Sequence, residues 1–312
     1  MLAAMLALLA RPAAAQSDGA PVPVRVGIFV VHLTPPDLKS GQFETVFWLW
    51  FRWKGDADLD PMKKFEVVNG LVEALDNEDA KEAHGEHYRV ARVRATITQS
   101  FDISRFPMDS HELQIGVEET TESVAGITYV PDRENSSVET EITLAGWRLG
   151  KARAEGTVKT YASNFGDVAL PADAASAYAR FTLVVPVSRP GIDYPIKLFW
   201  TLYLSVLVAV LAFWIKATDL DPRFGLGIGA VFAAMASAYV ISGALPDSNQ
   251  MTIADKVVMW SIGFIVVSML ESIISLRFFH AGREEVGTKL DRISFWVFSA
   301  GYILVNVVLL RG

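Results

Sequence analysis

Residues 198–215 read LFWTLYLSVLVAVLAFWI, a stretch without a single charged side chain. A helix needs about 20 apolar residues to cross the hydrocarbon layer of a bilayer, so this stretch predicts a membrane span. Uncharged stretches of similar length follow at 224–245 and 293–310, and another at 257–270 continues past Glu271 to Leu276. The sequence therefore predicts a transmembrane domain at 193–312, with spans at about 195–215, 223–245, 256–277 and 293–310.

The chain before these spans has a different pattern. Runs rich in β-branched and aromatic residues alternate with turn signals such as Thr34-Pro35-Pro36-Asp37. This pattern is typical of an antiparallel sandwich, so residues 16–192 are predicted to form an all-β, immunoglobulin-like domain. It ends at Arg189-Pro190-Gly191, within a few residues of the first span, which leaves no flexible linker. Strands are expected at 22–34, 43–53, 63–69, 87–101, 111–118, 126–130, 140–152, 157–163 and 177–188.

The N-terminus and the loop charges predict how the chain is oriented. Residues 1–15 have an apolar core at Leu2 to Ala10 and end in Ala13-Ala14-Ala15, which indicates a signal peptide cut before Gln16; the alternative is an apolar N-terminus on a cytosolic domain. Basic residues in short loops mark the cytoplasmic side. Four of them lie around the loop between the third and fourth spans, whereas the loop after the second span has two aspartates and no Lys or Arg. We therefore expect a multi-pass protein of the plasma (inner) membrane with its sandwich extracellular or periplasmic. The loop residues are Arg277, Arg283, Lys289 and Arg292 on one side and Asp247 and Asp255 on the other.

Composition argues against several functions. The net charge of −7 does not favour nucleic acid as a partner, and without cysteine the chain can form neither a disulfide nor a thiolate metal site. No glycine-rich phosphate loop is present, and His84 with His87 forms an isolated pair in a charged loop. We therefore predict no catalytic residues, no metal site and no cofactor. The acidic residues at 77–79 and the Glu118-Glu119 pair could attract divalent cations, but they are interpreted as solvated turns.

The segment Phe101-Asp102-Ile103-Ser104-Arg105-Phe106-Pro107-Met108-Asp109 resembles the signature loop of the pentameric ligand-gated ion channels, the Cys-loop receptor superfamily. The flanking cysteines are absent, as in prokaryotic relatives. Further matches in the family's order lie at Trp48 before this loop and at Gly146-Trp147, Leu245-Pro246 and Leu270-Glu271 after it. Arg189, five residues before Tyr194, resembles the junction ahead of the first span. Two departures stand beside them: the family's Trp-x-Pro segment is missing, and so is the proline in the middle of the first span.

This resemblance implies a homopentamer, so the partners of each chain are four further copies, the bilayer and permeant ions. An unidentified small ligand, a proton or a divalent cation would open the channel. Aligning Leu245-Pro246 with the family puts Asp221 at the inner mouth as a selectivity ring and Phe232 at the gate. Cation selectivity is favoured, although Arg223 would oppose it if it pointed at the axis. Glu271 is either a functional or a structural acid. Helical spacing gives the pore face Gly225, Gly229, Phe232, Ala236 and Val240.

The second span also has another interpretation. Its many small residues are typical of a helix that packs tightly against its neighbours. The pore face contains no serine or threonine. The alternative function is therefore a pentameric membrane-bound sensor or binding protein that does not conduct ions.

Ligand and coupling residues are also implied. Alternation along 43–53 places Trp48, Trp50 and Arg52 away from the core, facing a neighbouring subunit, where they would meet the aromatic trio Tyr161, Phe165 and Tyr178. Aromatic packing at a subunit interface is the alternative. The resemblance sets Asp109 against Arg189, with Asp37 as a third partner; the alternative is that this cluster only holds the domain on the bundle. The coupling residues implied are Asp37, Arg105, Phe106, Pro107, Asp109, Arg189 and Pro246.

Overall fold

β-Strands occupy the chain up to Ser188 and helices occupy it from Asp193 onward in a computed structural model. The structure describes residues 20–168, 170–171, 173–246 and 249–311. The predicted signal peptide at 1–15 and Asp247 of the loop after the second span lie outside these residues. Within them, the predicted order of a sheet domain followed by four helices is confirmed.

Two sheets pack face to face to form a sandwich. One has the strand order β4-β5-β2-β1-β7 with β8 beside β1, and the other has β10-β11-β6-β3 with β9 beside β11. Neighbours are antiparallel, except that β7 and β8 run parallel to β1. The strands are β1 (Val22–Leu33), β2 (Gln42–Trp53), β3 (Phe65–Val67), β4 (Gly70–Ala83), β5 (Glu86–Thr98), β6 (Ser110–Glu119), β7 (Ile127–Pro131), β8 (Ser137–Val138), β9 (Arg148–Leu149), β10 (Arg153–Tyr161) and β11 (Ser176–Ser188).

Side-chain alternation along β2 builds the centre of the sandwich. Phe47, Leu49 and Phe51 are fully buried, because successive side chains of a strand point to opposite faces. The residues between them are only half-buried on the outer side of the sheet. The sequence predicts this division correctly.

The long edge strand β4 was not predicted. It is exposed along almost its whole length, so it lacks the apolar alternation by which a strand is recognised. It pairs with β5 through a turn at His84 and Gly85, both with positive φ. Such two-residue turns join hairpin strands, and charged side chains protect exposed edges from further pairing. The acidic residues at 77–79 therefore lie in an edge strand with a bulge, not in a plain turn.

The predicted strand at 140–152 is also wrong. This segment consists mainly of turns, with an isolated bridge between Leu144 and Trp147 and a two-residue strand at β9. Its apolar residues Leu144 and Trp147 are buried in the hydrophobic core, although they are joined only by an isolated bridge and not by a strand.

Within the described residues, four helices that are each long and apolar enough to cross a membrane follow the sandwich. The third begins with a reciprocal cap, in which Thr252 Oγ1 accepts from Asp255 N at 3.0 Å and Asp255 Oδ2 accepts from Thr252 N at 2.9 Å. The fourth helix begins at Glu284, well before the predicted start of its span at 293. The prediction missed these first turns because they contain charged residues. The helices are α1 (Asp193–Leu211, continued by a 3-10 turn at Ala212–Trp214), α2 (Leu220–Gly243), α3 (Ile253–His280) and α4 (Glu284–Arg311).

Candidate functional sites

Arg189 and Asp109 meet where the sandwich joins the helices. Arg189 follows β11 and Asp109 precedes β6, two neighbouring strands of one sheet. Arg189 Nε donates to Asp109 Oδ1 at 3.2 Å, and the backbone N–H of Arg189 donates to the Asp109 carbonyl at 3.1 Å. The Asp109 side chain is 1% exposed and that of Arg189 is 10% exposed. The structure thus brings together the pair that the resemblance implied.

Aromatic rings enclose the Arg189 guanidinium. Its central carbon lies 4.1 Å from the ring centres of both Trp147 and Tyr194, and 5.8 Å from that of Phe106. Trp147 precedes β9, whereas Tyr194 belongs to the first turn of α1. Cation–π attraction strengthens when the cation is desolvated. One guanidinium therefore links the sandwich to the first helix.

His111 completes this cluster, and the sequence did not single it out. Its Nε2 lies 2.6 Å from Asp109 Oδ2, and its ring packs against Phe101 and Trp147. Burial raises the pKa of Asp109, but the hydrogen bond from His111 and the charge of Arg189 outweigh it and hold that pKa below its ordinary value. Both carboxylate oxygens are thus engaged. The spacing of two residues between Asp109 and His111 was the available signal, since it places both side chains on one face.

The expectation that Asp37 is a third partner of Arg189 is wrong. The Asp37 carboxylate accepts from Ser40 Oγ at 2.8 Å and from the backbone N–H groups of Lys39 and Ser40. An aspartate at the start of a tight turn commonly bonds its own turn in this way. In the same turn, Lys39 Nζ donates to the Gly243 carbonyl at the end of α2 at 3.5 Å.

The loop at 102–109 also touches α3. Its carbonyls at Ser104 and Phe106 accept from the backbone N–H groups of Ile253 and Ala254, at 3.2 and 3.1 Å. The first amides of a helix lack partners within the helix, so this loop satisfies two of them. Phe106 is buried ahead of a cis peptide bond to Pro107, Arg105 is exposed, and Pro246 is half-buried beyond α2.

One side of α2 is uncovered within the single chain. All five residues of the predicted pore face are exposed, including Phe232 and Val240 at 68% each. The opposite side is buried, and Gly227 there packs against Met269 of α3. On the open side, no atom of the described residues lies within 4 Å of a Cβ built at Gly225 or Gly229. The small residues therefore divide between a packed side and an open side. Prominent apolar side chains on the open side that the prediction missed are Ile228, Met235 and Tyr239.

Arg223 points into the helix bundle, away from the open side of α2. Its side chain is fully buried and bonds to α3 and α4, donating to Asp291 Oδ1 at 2.6 Å and to Glu271 Oε2 at 3.3 Å. It also donates to Ser272 Oγ and to the Ile215 carbonyl. Asp221, two residues earlier, is exposed. The alternative that Arg223 opposes Asp221 at the axis is therefore wrong for this arrangement, and Glu271 has a structural partner.

The aromatic trio Tyr161, Phe165 and Tyr178 is assembled on the sheet of β10 and β11. Its ring centres are 5.4 to 6.2 Å apart. Beneath the rings, Glu118 accepts from Tyr161 Oη at 2.9 Å and from Arg180 Nε at 2.6 Å. Glu118 and Glu119 are both buried at the end of β6, so their interpretation as a solvated turn is wrong.

The charges around this trio disfavour an organic cation as ligand. Arg180 Nη2 donates to Tyr161 Oη at 2.7 Å, and Lys159 Nζ lies 5.8 Å from the Tyr161 ring centre. The rings that would have to bind a cationic ligand therefore already lie beside two positively charged side chains.

Trp48, Trp50 and Arg52 lie half-buried on the outer face of the other sheet. Trp50 covers Gly27, where any Cβ would overlap its indole, and its Nε1 donates to Asp132 Oδ2 at 3.2 Å. Arg52 is paired with Glu86 at 2.8 Å. Because these residues and the aromatic trio belong to different sheets, a single chain does not bring them together.

Comparison with known proteins completes this description. No protein-family model matches the chain. It is 20% identical over 312 aligned residues to a proton-gated ion channel of Gloeobacter violaceus, covering 93% of this chain and 82% of that protein. The similarity is thus to a channel rather than to an enzyme, and it spans both the sandwich and the four helices. The four apolar helices and this relative make the chain a multi-pass membrane protein, and in its order of domains and its loop at 102–109 it is similar to the pentameric ligand-gated ion channels without the Cys-loop cysteines.

Proposed function

We propose that five copies of the chain form a gated, cation-selective channel of the plasma membrane, with α2 lining the pore and the sandwich outside the cytoplasm. The observation that carries this proposal is the open side of α2. In a soluble bundle such a face would be covered, whereas here Phe232, Tyr239 and Val240 are the most exposed large apolar side chains of the helix. When several copies assemble around an axis, the open side of α2 faces the water-filled space at that axis.

Phe232 is proposed as the gate. It lies at the midpoint of α2 on the open side. A ring of such side chains forms an apolar constriction, and constrictions of this kind close by expelling water.

Cation selectivity is proposed because each chain contributes Asp221 to the inner mouth while its nearest cation on α2, Arg223, is neutralised inside the bundle. Rings of carboxylates attract cations. Replacing Asp221 by asparagine is therefore expected to lower single-channel cation conductance and to move the reversal potential in a salt gradient toward zero. The measurement is planar-bilayer recording with ion substitution.

Asp219→Asn is the matched control, since Asp219 is also exposed but lies before the first turn of α2. It should conduct like the wild type. An unchanged reversal potential in Asp221→Asn would contradict the selectivity proposal.

The gating route is proposed to run through the Arg189 cluster. Its contacts tie β6, β11 and α1 together, while Lys39 and the carbonyls of Ser104 and Phe106 reach α2 and α3. A change within the sandwich thereby acts on three helices at once. The two discrete arrangements that such a transition needs can come from breaking the Asp109–Arg189 pair.

A ligand pocket is proposed between two copies, with the aromatic trio on one and Trp48 on the next. The half-buried outer face of β2 supports this placement. The occupant would meet Arg180 and Lys159 as well as the rings, which favours a ligand that carries an anionic group.

The sensor without ion conduction remains the second candidate. The exposure of that side of α2 supports a pore, but its composition favours the sensor, because the predicted pore residues Gly225, Gly229, Phe232, Ala236 and Val240 include no polar side chain. Current in a planar bilayer under acid pH or added ligand supports the channel. Persistent silence of protein that is correctly assembled supports the sensor.

A further inference from the structure

Glu119 occupies a core position of the sandwich. Leu113, Ile115 and Val117 alternate along β6 toward the space between the sheets and are at most 1% exposed. Glu119 is the next residue on that side and is also 1% exposed. A buried carboxylate is unfavourable unless its oxygens are bonded or its charge is paired.

The surroundings of Glu119 meet this need only in part. Its Oε1 accepts from the backbone N–H groups of Thr121 and Glu122, at 3.2 and 3.3 Å. Its Oε2 makes no hydrogen bond of ordinary length to the residues that the structure describes, and the polar group that faces it from the other sheet is the hydroxyl of buried Tyr129. Phe65, paired with Glu119 across the strands, and Phe51 line the same region with their rings.

No cation is paired with Glu119 within that described part of the chain. Lys64 is the nearest one, but its Nζ lies against Glu122 Oε1 at 3.9 Å, and Arg180 is held by Glu118. The other charged or titratable groups that face this position are Glu122 and Tyr129. Burial accordingly raises the pKa of Glu119, and the two backbone hydrogen bonds offset this only in part.

We propose that Glu119 is a proton-binding site inside the sandwich and that its protonation favours opening of the channel. Once it has taken a proton from solvent, the carboxyl is neutral and can donate its O–H to the hydroxyl oxygen of Tyr129 on the facing sheet, whereas the ionised carboxylate can only accept from that hydroxyl. Glu119 ends the strand whose other end follows Asp109, so this change acts on the strand that leads to Arg189. The gating half of this inference rests on the proposed function; the proton-binding half does not.

The proton site itself is tested by stability of the purified full-length protein. Glu119→Gln keeps the shape but cannot ionise, and Glu112→Gln is the control, because Glu112 lies on the outer face of the same strand. Since the native carboxyl has the raised pKa, wild-type stability relative to Glu119→Gln should be highest in acid and fall as pH rises through that pKa. A difference in unfolding temperature that does not change with pH would overturn the proposal.

Gating is tested by currents recorded as a function of pH. Glu119→Gln should need at least about two-fold less acid for half-maximal opening and show a shallower response, because it imitates the protonated state. Tyr129→Phe removes the hydroxyl that faces the carboxyl, so its half-activation should shift away from the wild-type pH, and it provides a second variant if the first does not fold. Half-activation at the wild-type pH in both variants overturns the gating role.

If no variant conducts, the proposed channel function fails separately. Tryptophan fluorescence, to which Trp147 beside Arg189 contributes, is then followed across the same pH range. A wild-type pH response that Glu119→Gln loses still supports the proton site and its link to the junction. A response retained in full by Glu119→Gln overturns that link.

Discussion

Replacing Arg223 by methionine is expected to leave little or no assembled protein in the membrane. The substitution removes the cation that Asp291 and Glu271 share inside the bundle, and leaves two carboxylates buried together. Removing one partner of a buried ion pair typically costs about 3–5 kcal/mol, a large fraction of the stability of a domain. The measurement is size-exclusion chromatography of membrane extracts, with total expression followed in parallel.

A rescue experiment separates this charge effect from a loss of packing. The triple variant Arg223→Met, Glu271→Gln, Asp291→Asn removes all three charges and should recover much of the assembly, because buried ion pairs are often replaceable by neutral groups. Arg292→Met serves as the matched control, since Arg292 is the next residue on α4 but is exposed. Normal yields of the single Arg223 variant would contradict the structural role of the cluster.

Arg189→Ala is expected to assemble at the membrane but to lose most of its current. The substitution removes the ion pair with Asp109 and empties the cage of Trp147 and Tyr194, so movement of the sandwich no longer reaches α1. Coupling free energies of about 1–3 kcal/mol correspond to a loss of roughly five-fold or more in the response. The measurement compares surface protein with maximal current in the same cells.

The control is Arg148→Ala, because Arg148 lies on β9 beside the same strand but is exposed. It should retain wild-type currents. If Arg189→Ala fails to assemble, the cluster only holds the sandwich on the bundle; if it conducts like the wild type, the cluster has no role in coupling.

The parts of the structure that follow a strong period were predictable from the sequence. The four spans and strand β2 are examples, since uncharged length and alternation alone determine them. The pairing of Asp109 with Arg189 came from the resemblance of one short loop, and the structure contains it. The contact of Asp37 with Arg189 that the resemblance implied is absent among the described contacts, because the Asp37 side chain bonds to its own turn instead.

Other features depend on contacts that no local pattern reveals. β4 has no buried face, so only its pairing with β5 shows it to be a strand. From the sequence alone, Arg223 could have been a charge facing the pore. Its pairing with Glu271 of α3 and Asp291 of α4 is visible only in the folded bundle. Glu118 and Glu119 looked like surface acids, although continued alternation from Val117 would have placed Glu119 in the core. Charged residues that break an apolar pattern were thus the signal that sequence reasoning undervalued.

The central claim is that the open side of α2 lines a water-filled pore shared by several copies. Since the chain has no cysteine, single cysteines introduced along α2 give a clean test with a charged thiol reagent applied during recording. The account predicts current block at Gly225, Gly229, Ala236 and Val240, and no block at Gly227, Ala230 or Ala234. Block at the second set, or at neither set in protein that conducts, would contradict it.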